Sequence, residues 1–157
     1  MKSGRLAVAA LAMAFGIGGA QAITVHRSVT VNKPTWWVWW QVGGFCEISD
    51  WLPLLSNCED WREDGTRYRK LTTTDGATVT EKLTEKTGTS YSYDITESPL
   101  PVADYNATFS VTPVEGGTQI DWMAHFQAYN ATDAEAATVI AGIFEAGLNH
   151  IVEDLGP

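Results

Sequence analysis

Six stretches of this chain repeat with a period of two residues, one directly after another: 57–61, 66–73, 77–86, 90–97, 103–112 and 118–128. Turn signals separate them, at Asp64-Gly65, Asp75-Gly76, Gly88, Ser98-Pro99-Leu100-Pro101 and Glu115-Gly116-Gly117. Period-two alternation puts every second side chain on one face of a strand, and connections this short join antiparallel neighbours. A seventh segment, Ile23–Val31, precedes the run with Val25, Val29 and Val31 on one face. Between it and the run, Asn32-Lys33-Pro34 predicts a helix start, with Asn32 or Lys33 near the cap and Pro34 in the first turn. Gly43-Gly44 stops that helix, and a second short helical segment, Phe45–Trp51, ends at Pro53. After the run, Thr132-Asp133-Ala134-Glu135 is a capping box. It opens a helix to about Asp154 with Ala136, Val139, Ile140, Ile143, Phe144, Gly147 and Ile151 along one face. One antiparallel sheet with its helices on one face is an α+β domain. The sheet must curl around the last helix to bury that stripe, which leaves a cavity between them.

Residues 1–22 have a basic start (Lys2, Arg5), an apolar run from Leu6 to Ala20 and the small-residue end Ala20-Gln21-Ala22, the layout of a cleaved secretory signal. The apolar run is short for a membrane anchor and is broken by Gly16, Gly18 and Gly19. The expected mature protein is therefore a single domain, 23–157, periplasmic or secreted, with no integral membrane segment. Removing Lys2 and Arg5 leaves 8 basic against 19 acidic residues, a net charge of −11, which argues against nucleic acid and anionic lipid as partners. Export would place Cys46 and Cys58 in an oxidising compartment, where they form either a disulfide or two separate buried thiols. Two cysteines and three scattered histidines offer no metal site, no Gly-rich phosphate loop is present, and no cofactor is expected.

Register follows from the turn at 74–76. A three-residue loop with Gly76 in the left-handed position pairs 71 with 79, 69 with 81 and 67 with 83. Leu71, Val79 and Leu83 then share a face with Arg69 and Glu81, and an opposed Arg and Glu on a half-buried face form a satisfied pair. A two-residue turn would instead set Lys70 opposite Glu81 and leave Arg69 outside. Further along, Tyr91, Tyr93 and Ile95 share a face, as do Tyr105, Ala107, Phe109 and Val111, and Ile120, Trp122, Ala124 and Phe126.

The stretches SVTVNKPTWWVWWQVGGF, CEISDWLPLLSNCE, GTRYRKLTTTDGATVTEKL, SYSYDITESPLPVADYNATFSV and GTQIDWMAHF resemble the polyketide cyclase/dehydrase branch of the START-like, or SRPBCC, superfamily. The resemblance implies a helix-grip fold: a seven-stranded antiparallel sheet curled around a long C-terminal helix, two short helices after the first strand, and a hydrophobic pocket inside. It implies a small hydrophobic ligand, aromatic, lipid or polyketide-like. It also says which strand faces turn inward, so the expected ligand-binding set is Arg69, Leu71, Val79, Glu81, Leu83, Tyr91, Tyr93, Leu100, Tyr105, Ala107, Trp122, Ile143, Phe144 and Gly147. Among the inward aromatics, Phe109, Trp122 and Phe126 suit plain core packing, and Tyr93 and Tyr105 suit ligand contact. Arg69 and Glu81 read equally as a buried pair with no ligand contact. Residues 98–102 match the position of the entrance loop of the plant abscisic-acid receptors, stiffened here by two prolines into a rim. Those receptors hold an acidic ligand with a lysine, and Leu52 stands at the corresponding place. A carboxylate ligand would then need Arg69, free of Glu81.

The segment Trp36-Trp37-Val38-Trp39-Trp40 holds four of the seven tryptophans. Helical spacing offers two inner faces, Thr35/Val38/Trp39/Val42 or Trp36/Trp39/Trp40/Gly43. The resemblance selects the first, because its pattern falls on Val38, Trp39, Val42, Gly43 and Phe45. Trp39 is then core, and Trp36, Trp37 and Trp40 are either exposed or covered by neighbouring segments. Three functions fit. One is a non-enzymatic exported carrier. Another is a cyclase or dehydrase using Glu81 as general base, which needs a raised pKa that Arg69 would oppose. The third is an accessory protein, of the kind associated with periplasmic methanol oxidation, docking on a protein partner or on itself through Trp36, Trp37 and Trp40. His26 and His125 read as surface residues, and no Ser/His/Asp or Cys/His arrangement can be assembled.

Overall fold

The computed structural model describes residues 22–157. The expected signal segment lies outside the described residues except for Ala22. The chain runs β1 (Ile23–Val31), α1 (Thr35–Val42), α2 (Ile48–Trp51), β2 (Leu55–Glu63), β3 (Thr66–Thr73), β4 (Thr78–Lys86), β5 (Ser90–Glu97), β6 (Val102–Val114), β7 (Gly117–Ala128) and α3 (Asp133–Leu155). The strands form one seven-stranded antiparallel sheet in the order β1-β7-β6-β5-β4-β3-β2. Only β1 makes a long-range jump, across to β7; every other pair is a neighbour in sequence. This is the α+β helix-grip architecture.

Alternation decides which side of the sheet grips α3. In β7 the residues Ile120, Trp122, Ala124 and Phe126 are all buried, while Met123 and His125 between them are exposed. α3 supplies the other wall with Ala136, Ile140, Phe144, Gly147, Leu148 and Ile151. Its start carries the expected box: Thr132 Oγ1 accepts from the Glu135 amide, and a Glu135 carboxylate oxygen accepts from the Thr132 amide. The tightest point of the grip is Gly147, where an added Cβ would lie 2.9 Å from Trp51 Cζ3 and 3.1 Å from Trp122 Cζ3. Next to it, Phe144 stacks on Trp122 with ring centroids 4.2 Å apart. The edge strand β2 is mostly exposed and carries Glu59, Asp60, Arg62 and Glu63, charges that discourage edge-to-edge pairing.

Several boundaries differ from the sequence reading. Pro34 is itself the N-cap of α1, in extended backbone, and its carbonyl accepts from the Trp37 and Val38 amides at 3.1 and 3.0 Å. Thr118 Oγ1 donates to the Lys33 carbonyl at 2.8 Å, so Lys33 and Asn32 lie in the bend that fastens the helix to β7. The second helix shrinks to one turn, Ile48–Trp51, because Phe45–Glu47 form turns instead. β2 begins at Leu55 rather than Asn57, with a bulge between those residues. The turn at 74–76 is as the three-residue loop predicts: Gly76 has φ +92°, and Arg69 pairs with Glu81 and Leu71 with Val79.

α1 buries Val38 and Val42, the face the family pattern selected. Trp39, expected in the core, is half-buried: its ring folds over Gly43 and packs on Tyr91 at 6.2 Å. Trp37, which the sequence leaves either exposed or covered, is also half-buried and packs against the core. At 100° per residue both flank the Val38/Val42 stripe, which explains their shared intermediate position. Trp36 and Trp40 point away, 73% and 72% exposed.

Cys46 and Cys58 form a disulfide that ties the turn after α1 to the edge strand β2, across a separation of 12 residues. Cys58→Ser is expected to lower unfolding free energy by about 3 kcal/mol in the chain-entropy model. A urea titration would read this as a lower midpoint, and an unchanged midpoint under non-reducing conditions would contradict it.

Candidate functional site

A cavity of about 90 Å³ lies between the sheet and α3. Its lining comes from β3 and β4 (Leu71, Thr73, Val79, Glu81), β5 to β7 (Tyr93, Ile95, Tyr105, Trp122), the rim loop (Leu100), α3 (Ile140, Ile143, Phe144) and the α2–β2 connection (Ile48, Leu52, Leu54, Leu55). The wall is almost wholly apolar. Its polar atoms belong to Glu81, Tyr93 and Tyr105, with Thr73 and the indole of Trp122. Trp122 Nε1 donates to the Tyr93 hydroxyl at 3.0 Å, so the indole nitrogen is already satisfied.

Nine of the fourteen residues expected from the sequence line this cavity: Leu71, Val79, Glu81, Tyr93, Leu100, Tyr105, Trp122, Ile143 and Phe144. Arg69, Leu83, Tyr91, Ala107 and Gly147 are not among the lining residues. Each has a visible reason. Gly147 is filled from both sides by the rings of Trp51 and Trp122. Ala107 sits in the sheet between its partners Tyr93 and Ala124 and is buried, with a side chain too short to reach past them. Leu83 lies beside a bulge in the β4–β5 ladder, which shifts the alternation there. Arg69 and Tyr91 face the other way, toward Phe45.

Arg69 is wholly buried, and its Nε donates to Glu81 Oε2 at 2.5 Å. Its Nη1 donates to the carbonyl of Phe45 and, at 3.5 Å, to the Tyr91 hydroxyl. The guanidinium carbon sits 4.1 Å from the Phe45 ring, 4.8 Å from Tyr93 and 5.4 Å from Tyr91, within cation–π range of all three. The ion pair therefore partitions the interior. Glu81 looks into the cavity, and the guanidinium looks into an aromatic cage on the α1 side. Burial alone would pull the Arg69 pKa down, but the Glu81 carboxylate together with Tyr91 and Tyr93 outweighs it and holds the guanidinium protonated. Burial pushes the Glu81 carboxyl above its usual range, and Arg69 pulls it only partway back. Burial also raises Tyr93 and Tyr105 well above the ordinary phenol value, which keeps both hydroxyls as O–H groups.

The lining that sequence reasoning missed comes mainly from Ile48, Leu52, Leu54 and Leu55. Those residues lie in a short helix and a connection with no periodicity, so no face could be assigned to them. Ile95 and Ile140 were legible, because they share faces with Tyr93 and Phe144. Thr73 extends the Leu71 face by one more alternation. Among the described residues, no group of three or more His, Cys, Asp or Glu could hold a metal ion. The histidines sit at the surface: His26 meets Asp121 at 2.8 Å, and His125 pairs with Thr24.

This geometry, an apolar pocket between a curled antiparallel sheet and a C-terminal helix, defines a START-like domain. The chain matches the family model described as polyketide cyclase/dehydrase and lipid transport over residues 22–156, and it belongs to that family. Among solved structures it is similar to the protein XoxI from Bacillus cereus: 27% identity, 84% of this chain and 94% of that one, TM-score 0.77. A protein from Thermobifida fusca is similar at 27% identity, covering 84% of this chain and 92% of that one, TM-score 0.74. The Zhui aromatase/cyclase from a Streptomyces species shares the fold at 19% identity, with 86% and 94% coverage and a TM-score of 0.69. No curated protein matches the chain.

Removing one member of a buried ion pair leaves the other charge without compensation. Arg69→Met is therefore expected to cost about 3–5 kcal/mol of unfolding free energy. The double change Arg69→Met/Glu81→Leu should restore most of that loss, because both desolvated charges disappear together. Urea unfolding of the two variants checks this, and equal loss in both would refute the paired-charge account.

Proposed function

We propose that the protein is an exported binder or carrier of a small hydrophobic molecule held between the sheet and α3. The observation that carries this reading is the cavity itself: apolar walls from every layer of the fold, with a few polar atoms gathered at Glu81, Tyr93 and Tyr105. Binding pockets are built this way, with apolar surface for affinity and sparse polar groups for orientation. Family membership points in the same direction. Two features support export: the signal-like layout of residues 1–22 and the Cys46–Cys58 bridge, a bond that persists in oxidising compartments.

The cavity is smaller than the roughly 150 Å³ that seats a benzene ring in an engineered core. An aromatic ligand must therefore displace side chains at the mouth. Leu54 is exposed, and Leu100 and Ile143 are half-buried, so these have room to swing outward. Turnover through Glu81 is a weaker reading. Its raised pKa suits a general base, yet Arg69 holds one of its oxygens and no histidine lines the cavity among the described residues.

One observation favours a second reading, docking on a protein partner: Trp36 and Trp40 stand in the open on a strongly acidic chain. Trp36, Trp37, Trp39 and Trp40 together border a shallow apolar groove.

Native mass spectrometry of the protein purified from its own host separates these readings. The carrier reading expects a low-mass adduct that is released on unfolding. A stoichiometric protein partner without such an adduct would favour docking. Trp36→Ser combined with Trp40→Ser should leave stability within about 0.5 kcal/mol, as surface changes do, and should release any such partner. A partner retained by that variant would rule out the tryptophans as its contact.

A further inference from the structure

The carrier reading leaves the ligand's chemistry open, and the inner end of the cavity narrows it. We propose that this end selects a neutral hydroxyl group, so that the ligand is a phenol or an alcohol, and that it rejects carboxylates. The proposal rests on the carrier reading and adds a rule about the polar group the ligand carries.

Several of the polar atoms at this end already have partners. Glu81 lines the cavity, with its Oε2 taken by Arg69 at 2.5 Å and its Oε1 in no hydrogen bond to a side chain or backbone group. The second oxygen, Oε1, is thus an acceptor offered to whatever enters. The Tyr93 hydroxyl accepts from Trp122 Nε1, and its own proton serves the neighbouring Tyr105 hydroxyl. Tyr105, buried beside it with ring centroids 6.2 Å apart, brings a second phenolic O–H. A hydroxyl is the group that satisfies both kinds of partner at once, donating to the carboxylate and accepting from a tyrosine.

Charge excludes the alternatives. A carboxylate would be desolvated beside Glu81 with no cation in the lining to meet it. The wall facing the sheet, with Ile48, Leu52, Leu54 and Leu55, carries no charge. Arg69 cannot substitute. Its Nε and Nη1 are engaged, and its remaining Nη2 is buried without a hydrogen-bond partner in a guanidinium caged by Phe45, Tyr91 and Tyr93, outside the cavity lining. An ammonium group fares no better, because Arg69 already neutralises Glu81 and a second cation would crowd the first.

Three near-isosteric probes test the rule at pH 7: 4-methylphenol, toluene and 4-methylbenzoate, titrated into the full mature protein and followed by amide chemical shifts in NMR. A hydrogen bond to a charged acceptor favours 4-methylphenol over toluene by about tenfold to a hundredfold, and 4-methylbenzoate should bind weakest. Equal affinity for 4-methylphenol and toluene would overturn the hydroxyl rule while leaving the carrier reading intact, as would tightest binding by 4-methylbenzoate. Binding by none of the three would overturn the carrier reading for aromatic ligands and the rule with it. Glu81→Gln endangers folding by stranding Arg69, so Tyr105→Phe is the companion variant. It removes the donor and keeps the Glu81 acceptor, so it should lower the ratio of 4-methylphenol to toluene affinity by about twofold to tenfold, and an unchanged ratio in a folded variant would show that Tyr105 plays no part in the selection.

Discussion

A charged guanidinium with no solvent exposure costs several kcal/mol unless a counter-charge and hydrogen bonds surround it, and much of this fold is arranged to supply them to Arg69. Glu81 must stand directly across from it, which requires the β3–β4 register and hence the tight loop that Gly76 closes in the left-handed region. The carbonyl of Phe45 must face inward to accept from Nη1. That carbonyl belongs to the turn after α1, where the next residue, Cys46, is bridged to β2. The pair thus links the middle of the sheet, the helical connection and the edge strand. A slip of one residue in the β3–β4 ladder would turn Arg69 to the outer face and leave Glu81 buried alone.

The same pair gives the interior two unlike halves. On the α1 side, Phe45, Tyr91 and Tyr93 enclose the guanidinium, and Trp39 packs behind Tyr91. On the α3 side, aliphatic residues and the rings of Trp122 and Phe144 leave unfilled space. Aromatic rings pack tightly around a flat cation; mixed leucines and isoleucines from five separate segments do not close as completely. The cavity therefore sits where the chain contributes side chains from irregular backbone, at Leu52 and Leu54, with Leu55 at the start of β2 beside its bulge.

Strand order, register and the gripping helix were legible because each rests on a local signal: alternation, a turn with glycine at a definite place, a capping box. Arg69 opposite Glu81 followed from counting outward from Gly76. What alternation cannot supply is depth. Arg69 and Glu81 share a face, yet one lines the cavity and the other is walled off by aromatic rings that arrive from distant parts of the chain. Gly147 shows the same limit, since its place on the inner stripe of α3 is plain from periodicity while the two tryptophan rings that occupy its space come from α2 and β7. Trp37 and Trp39 fell between classes for a simpler reason: on a helix that buries a narrow Val38/Val42 stripe, flanking residues are neither in nor out.

The position of α1 bears on how a tryptophan handle and a ligand pocket would coexist. Trp39 packs on Tyr91 near the start of β5, whereas Ile95, near its end, lines the cavity. Four residues of strand separate them, about 13 Å at the usual rise, so α1 and the cavity's Ile95 lie near opposite ends of β5. Area sets a second condition. Two indoles contribute at most about 250 Å² each, and a stable protein interface buries about 800 Å² on each side. The tryptophans alone are too small for a durable complex. A docking partner would have to engage more of the surface than the two indoles, including the neighbourhood where Lys86 lies over the Trp39 ring.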